Sequence, residues 1–81
     1  MKKIFKTAGV CARAIEIDIE DGIVKSVEFD GGCPGNLAGL SALIPGMSVE
    51  SVIDRLEGIK CGHKPTSCPD QLARALRSIS Q

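Results

Sequence analysis

Ile15, Ile17 and Ile19 alternate with Glu16, Asp18 and Glu20, the period-two pattern of a strand with one face buried and the other in water. Asp21-Gly22 supplies turn chemistry, and Ile23 to Asp30 reads as the return strand of a hairpin. Upstream, residues 3 to 9 read as a short first strand. A two-residue Asp-Gly loop would set Ile17 and Ile15 on the face of Ser26 and Glu28. A three-residue loop, Glu20-Asp21-Gly22 with glycine left-handed, sets Ile19 opposite Ile23, Ile15 opposite Val27 and Arg13 opposite Phe29. That is the expected register. It leaves Lys25 opposite Ile17 on the apolar face, a misfit that the pattern does not explain. Carried further, it sets Cys11 opposite Gly31, with Cys33 just beyond, so two cysteines 22 positions apart become neighbours.

After Cys33 the period lengthens. Leu37, Leu40, Leu43 and Ile44 follow helical spacing until Pro45-Gly46 stops the run. Ser48 is placed to cap a second helix, with Glu50 in its first turn, Val49, Val52, Ile53 and Leu56 as its apolar stripe, and Gly58 at its end. Residues 59 to 68 read as a loop. The last helix is expected from about Pro69 to Ile79, with Leu72, Ala75, Leu76 and Ile79 inward and Arg74, Arg77 and Gln81 outward. The order predicts an α+β fold over residues 1–81: a three-stranded antiparallel sheet followed by three helices packed on one face, in one domain.

Composition narrows what this core can be. Two phenylalanines and no tryptophan or tyrosine leave Ile, Leu and Val to supply bulk. A chain this short removes only about 60 to 65% of its unfolded surface from water. Scaffolds of this size often recruit a metal, a disulfide or a second copy to complete their stability. Leu40, Met47 and Ile59 are candidates for a homodimer surface as well as for core. Ten basic and ten acidic residues cancel, which gives no basic surface for nucleic acid or a membrane. Residues 31 to 49 carry no charge, but five glycines, two prolines and an asparagine argue against a membrane span. Lys6 interrupts the apolar run after Met1-Lys2-Lys3-Ile4-Phe5, so the start does not read as a signal peptide and the expected location is cytoplasmic.

In that compartment disulfides are rare, and four cysteines point to metal or redox use. Gly32-Cys33-Pro34-Gly35-Asn36-Leu37-Ala38 and Ser67-Cys68-Pro69-Asp70-Gln71-Leu72-Ala73 share one layout, a cysteine before proline and then an opening helix. Proline suits a first helical turn because its missing N–H would lack an intrahelical partner there. The positive end of the helix favours thiolate, the form that binds metal or attacks disulfides. Cys11 begins a strand, Cys33 and Cys68 begin helices, and Cys61 lies in the loop before Cys68. Four thiolates suit tetrahedral zinc or an iron-sulfur cluster. Redox-active thiols and inert buried thiols are the other readings of the same residues. Lys60, His63 and Lys64 would offset the charge of a thiolate site, with His63 outside a ligand set that four cysteines already fill. The glycines around Cys33 lack the Gly-Lys-Ser/Thr ending of a phosphate loop.

At Thr66-Ser67-Cys68-Pro69-Asp70 the chain resembles the family named for that run, the TSCPD domain. The resemblance extends over Gly32 to Leu37, Leu56 to Gly62 and Thr66 to Leu72, and is to the short, stand-alone, four-cysteine branch. Related domains form C-terminal parts of vitamin B12-dependent ribonucleotide reductases, so the resemblance implies a link to deoxynucleotide synthesis and to that enzyme as a partner. Eighty-one residues cannot hold its catalytic barrel, and no catalytic activity of the chain alone is expected.

A weaker resemblance is to iron-sulfur scaffold proteins of the IscU and NifU type, through Ile23 to Leu43, Ser67 to Ala73 and the position of Cys11. It implies the same strand-strand-strand-helix-helix-helix order, and cluster-assembly machinery as the alternative partner. Such scaffolds usually have Asp two residues after the first cysteine and His before the last, where this chain has Arg13 and Ser67. Cys61 is extra. The departures favour a permanent site, zinc more than a transferable cluster, with Cys11, Cys33, Cys61 and Cys68 as ligands.

Overall fold

The computed structural model describes residues 2–7, 12–31, 34–60 and 62–79. Strands β1 (Lys2–Lys6), β2 (Ala12–Glu20) and β3 (Ile23–Gly31) precede helices α1 (Pro34–Leu43), α2 (Val49–Leu56) and α3 (Cys68–Ile79). The strands form one antiparallel sheet in the order β1-β2-β3. The expected α+β order of three strands and three helices is thus the observed one. Strand β1 ends earlier than expected, at Lys6, and residues 8 and 9 of the expected strand lie outside the described residues.

The hairpin register differs from the expected one. Asp21 and Gly22 alone form the turn, both with positive φ (53° and 76°), as a two-residue turn matching the twist of its strands requires. Glu20 pairs with Ile23 and Ile19 with Val24, and the next pair is Asp18 with Ser26. Lys25 is therefore the extra residue of a β-bulge, exposed to water. The bulge shifts the phase of β3 by one residue, so Ile17 meets Val27 and Ile15 meets Phe29. The Lys25 misfit thereby disappears. A second shift passes over Arg13 and pairs Ala12, instead of Cys11, with Gly31.

One face of the sheet carries the core. Ile15, Ile17, Val24 and Val27 pack with Ile44, Val49, Val52, Ile53, Leu72, Ala75 and Leu76, with Leu40 and Met47 partly buried against them. Burying each of the larger aliphatic side chains contributes about 1.5 to 3 kcal/mol. The opposite face carries Glu16, Asp18, Glu28 and Asp30 and is at least partly wet. Leu43 falls off the edge of the α1 stripe and is 72% exposed, and Ile59 is 40% exposed. Residues 46–49 run along the start of β3: Gly46 N–H donates to the Val24 carbonyl (2.8 Å) and Val24 N–H to the Met47 carbonyl (2.9 Å). Part of an otherwise open sheet edge is thus paired. Among the described residues, no helix is long and apolar enough to cross a membrane.

Candidate functional site

Helix directions decide which chain segments meet. Ser48 caps α2, its Oγ accepting the Ser51 N–H (3.1 Å), while Val49 N–H donates to the carbonyl of Gly22 in the hairpin turn (2.9 Å). Helix α2 therefore starts at the turn. It ends after Leu56, and Gly58 N–H donates to Asp70 Oδ1 in the first turn of α3 (2.7 Å). Helix α3 runs back, so that Ile79 lines a groove with Ile19, Gly22, Val49 and Ile53 at the turn. Twelve helical residues span about 18 Å, so the start of α3, beside Gly58 at the end of α2, lies away from that turn. At the open end of the hairpin Ala12 pairs with Gly31, and Thr7 closes the β1 side, its N–H donating to the Arg13 carbonyl (3.2 Å) and its hydroxyl to the Ala12 carbonyl.

Cys68 opens α3 as a free, half-buried thiol. Cys11, Cys33 and Cys61 lie outside the described residues. Their described neighbours in sequence are Ala12 at the start of β2, Gly31 at the end of β3, Pro34 at the start of α1, and Lys60 and Gly62 in the loop between α2 and α3. No group of three His, Cys, Asp or Glu side chains suited to a metal occurs among the described residues. Lys60, His63 and Lys64 are exposed.

The start of α3 is built by a buried polar network. Ser67 is its N-cap: its carbonyl accepts the Gln71 N–H (2.8 Å), and its Oγ accepts the Asp70 N–H (3.2 Å). Cys68 is thus the first helical residue and Pro69 the second, one step later than expected, and still within the turn where proline is tolerated. The same Ser67 hydroxyl donates to the Ile59 carbonyl (2.7 Å). Asp70 Oδ2 accepts from Thr66 Oγ1 (2.5 Å) and pairs with Arg74 Nε (2.9 Å). Gln71 Nε2 donates to Thr66 Oγ1 (3.0 Å). Burial alone would raise the Asp70 carboxyl. The Thr66 hydroxyl, the Gly58 N–H and the Arg74 charge outweigh it and hold the group below the ordinary aspartate value.

Thr66, Asp70 and Gln71 are buried, although the apolar pattern does not mark them and polar residues at a helix start ordinarily face water. The available signal was the spacing Ser67-x-x-Asp70, a capping-box pattern. No curated protein matches the chain, and no solved structure does. The family model of the TSCPD domain matches residues 2–80, a span that takes in all three strands, all three helices and the network around Asp70, and the chain belongs to the TSCPD domain family.

Proposed function

We propose that this chain is a cysteine-ligated metal-binding domain in which Cys11, Cys33, Cys61 and Cys68 hold one zinc ion. The reading is supported by the placement of the cysteines at element ends: Cys68 opens α3, and the described neighbours of the other three are Ala12 at the start of β2, Gly31 and Pro34 where β3 gives way to α1, and Lys60 and Gly62 in the loop before α3. The donor set fits the metal, because four thiolates complete a tetrahedral zinc site without a further ligand. Zinc bound there would join the sheet end, the start of α1 and the loop before α3, adding stability to a small aliphatic core. Membership of the TSCPD family is consistent with a small domain related to ribonucleotide reductases. The function follows as an accessory domain of ribonucleotide reduction, with binding and not catalysis as its task.

The test is elemental analysis of anaerobically purified protein, with acid-labile sulfide measured on the same sample. About one zinc per chain and no sulfide is expected. Cys33→Ser and Cys68→Ser should each lose most of it, and retention of zinc by both variants would sink the reading. Brown protein containing iron and sulfide would instead support a cluster scaffold. Metal-free protein with one reversible disulfide would support a thiol redox partner. The partner is tested separately, by binding to a purified B12-dependent ribonucleotide reductase.

A further inference from the structure

Asp70 joins the two ends of the loop that carries Cys61. Its side chain is 2% exposed, and its two oxygens accept from opposite ends of that loop: Gly58 N–H at the start (2.7 Å) and the Thr66 hydroxyl at the finish (2.5 Å). The Ser67 hydroxyl adds a parallel link to the Ile59 carbonyl (2.7 Å). In a capping box the acid ordinarily reaches back to its own N-cap. Here the carboxylate crosses to the segment after α2. Gly58 has φ of 89°, and a Cβ there would meet nothing within 4 Å, so glycine is required by the backbone conformation at this link and not by lack of space.

We infer that Asp70 is a positioning residue for the Cys61–Cys68 arm of the proposed site. The inference rests on the metal reading for its affinity readout, but has a second readout that needs no metal. Residues 60–65 lie between links that are already made, so the loop ends are closed before any ligand arrives. Closing them in advance removes part of the ordering cost from binding. Arg74 also pairs with Asp70, but its side chain is 56% exposed and the pair lies within α3 (i,i+4). The two partners of Asp70 therefore separate loop closure from simple charge pairing.

The experiment compares full-length wild type with Asp70→Asn and Arg74→Ala. Zinc affinity is measured by competition with a chromophoric chelator, and amide hydrogen exchange is followed on the metal-free proteins. Asp70→Asn should weaken zinc by about tenfold or more and speed exchange across 58–66 by a similar factor, while amides of β2 and β3 keep their protection. Arg74→Ala should move neither by more than about twofold. A folded Asp70→Asn protein with wild-type exchange overturns the inference, as does an Arg74→Ala protein that loses as much. If wild type holds no zinc, the metal reading fails and exchange alone decides: local acceleration across 58–66 upholds the positioning role, and unchanged exchange overturns it. If Asp70→Asn does not fold, Thr66→Val removes the hydroxyl bonded to Asp70 and Gln71 and leaves the Gly58 and Ser67 links in place. About a threefold acceleration confined to 58–66 is then expected, and none overturns the inference.

Discussion

Ile17 stands directly opposite Val27 across the β2–β3 pair, and both are buried. With a turn of only two residues, this pairing requires one residue of β3 to go unmatched, and Lys25 is that residue. Lysine suits the position, since a bulged residue is left out of the ladder and here stands in water. The bulge and the Ile17–Val27 pair are two consequences of one register.

Substitutions should separate these roles. Val27→Ala removes buried methyl groups from the core face of the sheet and should cost about 1.5 to 3 kcal/mol. Lys25→Ala should stay within about 0.5 kcal/mol of wild type. Urea denaturation midpoints at constant slope measure both, and equal losses at the two positions would contradict this register.

The turn itself depends on backbone conformation. Gly22 has φ of 76° with open space around its missing Cβ, so Gly22→Ala should cost about 1 kcal/mol through backbone strain alone. Asp21→Asn, at φ of 53°, should be neutral within about 0.5 kcal/mol because asparagine is well suited to the left-handed region. Thermal unfolding of the two variants is the comparison. A neutral Gly22→Ala would mean that the turn is not the two-residue type.

These positions also mark where sequence reading succeeds and fails. The alternation of isoleucines with acids identified β2 and its buried face because side-chain direction in a strand follows directly from parity. The register was harder. A bulge changes the parity of everything beyond it, and its only trace in the sequence was an apolar face spoiled by Lys25. Helices α2 and α3 were legible from stripe and caps, while the Thr66–Asp70–Gln71 network was not, because its burial depends on the segment after α2 folding over it. Four cysteines were legible as candidates, and the order of elements sets their described chain neighbours at the ends of strands and helices or in the loop before α3.

Helix α2 offers a direct test of capping. Ser48→Ala removes the acceptor of the Ser51 N–H and should lower stability by about 1 kcal/mol, whereas Leu43→Ser, at an exposed position, should change it by less than about 0.5 kcal/mol. Guanidinium denaturation of both proteins decides the matter. A larger loss at Leu43 would mean that the exposed side of α1 is covered in solution.

Metal removal should have a larger effect than any of these substitutions. Under the zinc reading, binding joins segments that are far apart in sequence, so its free energy appears as folding free energy. Free zinc at about a thousand times its dissociation constant would add about 4 kcal/mol. For a domain of this size each kcal/mol moves the midpoint by about 4 to 8 °C. Stripping the protein with a strong chelator should therefore lower its melting temperature by more than about 10 °C, and added zinc should restore it. Cys68→Ser protein, already lacking the site, should melt at one temperature with or without chelator. Protein that has lost its zinc by elemental analysis and still melts at the original temperature would separate metal binding from folding. The hydrophobic core between sheet and helices would then suffice on its own.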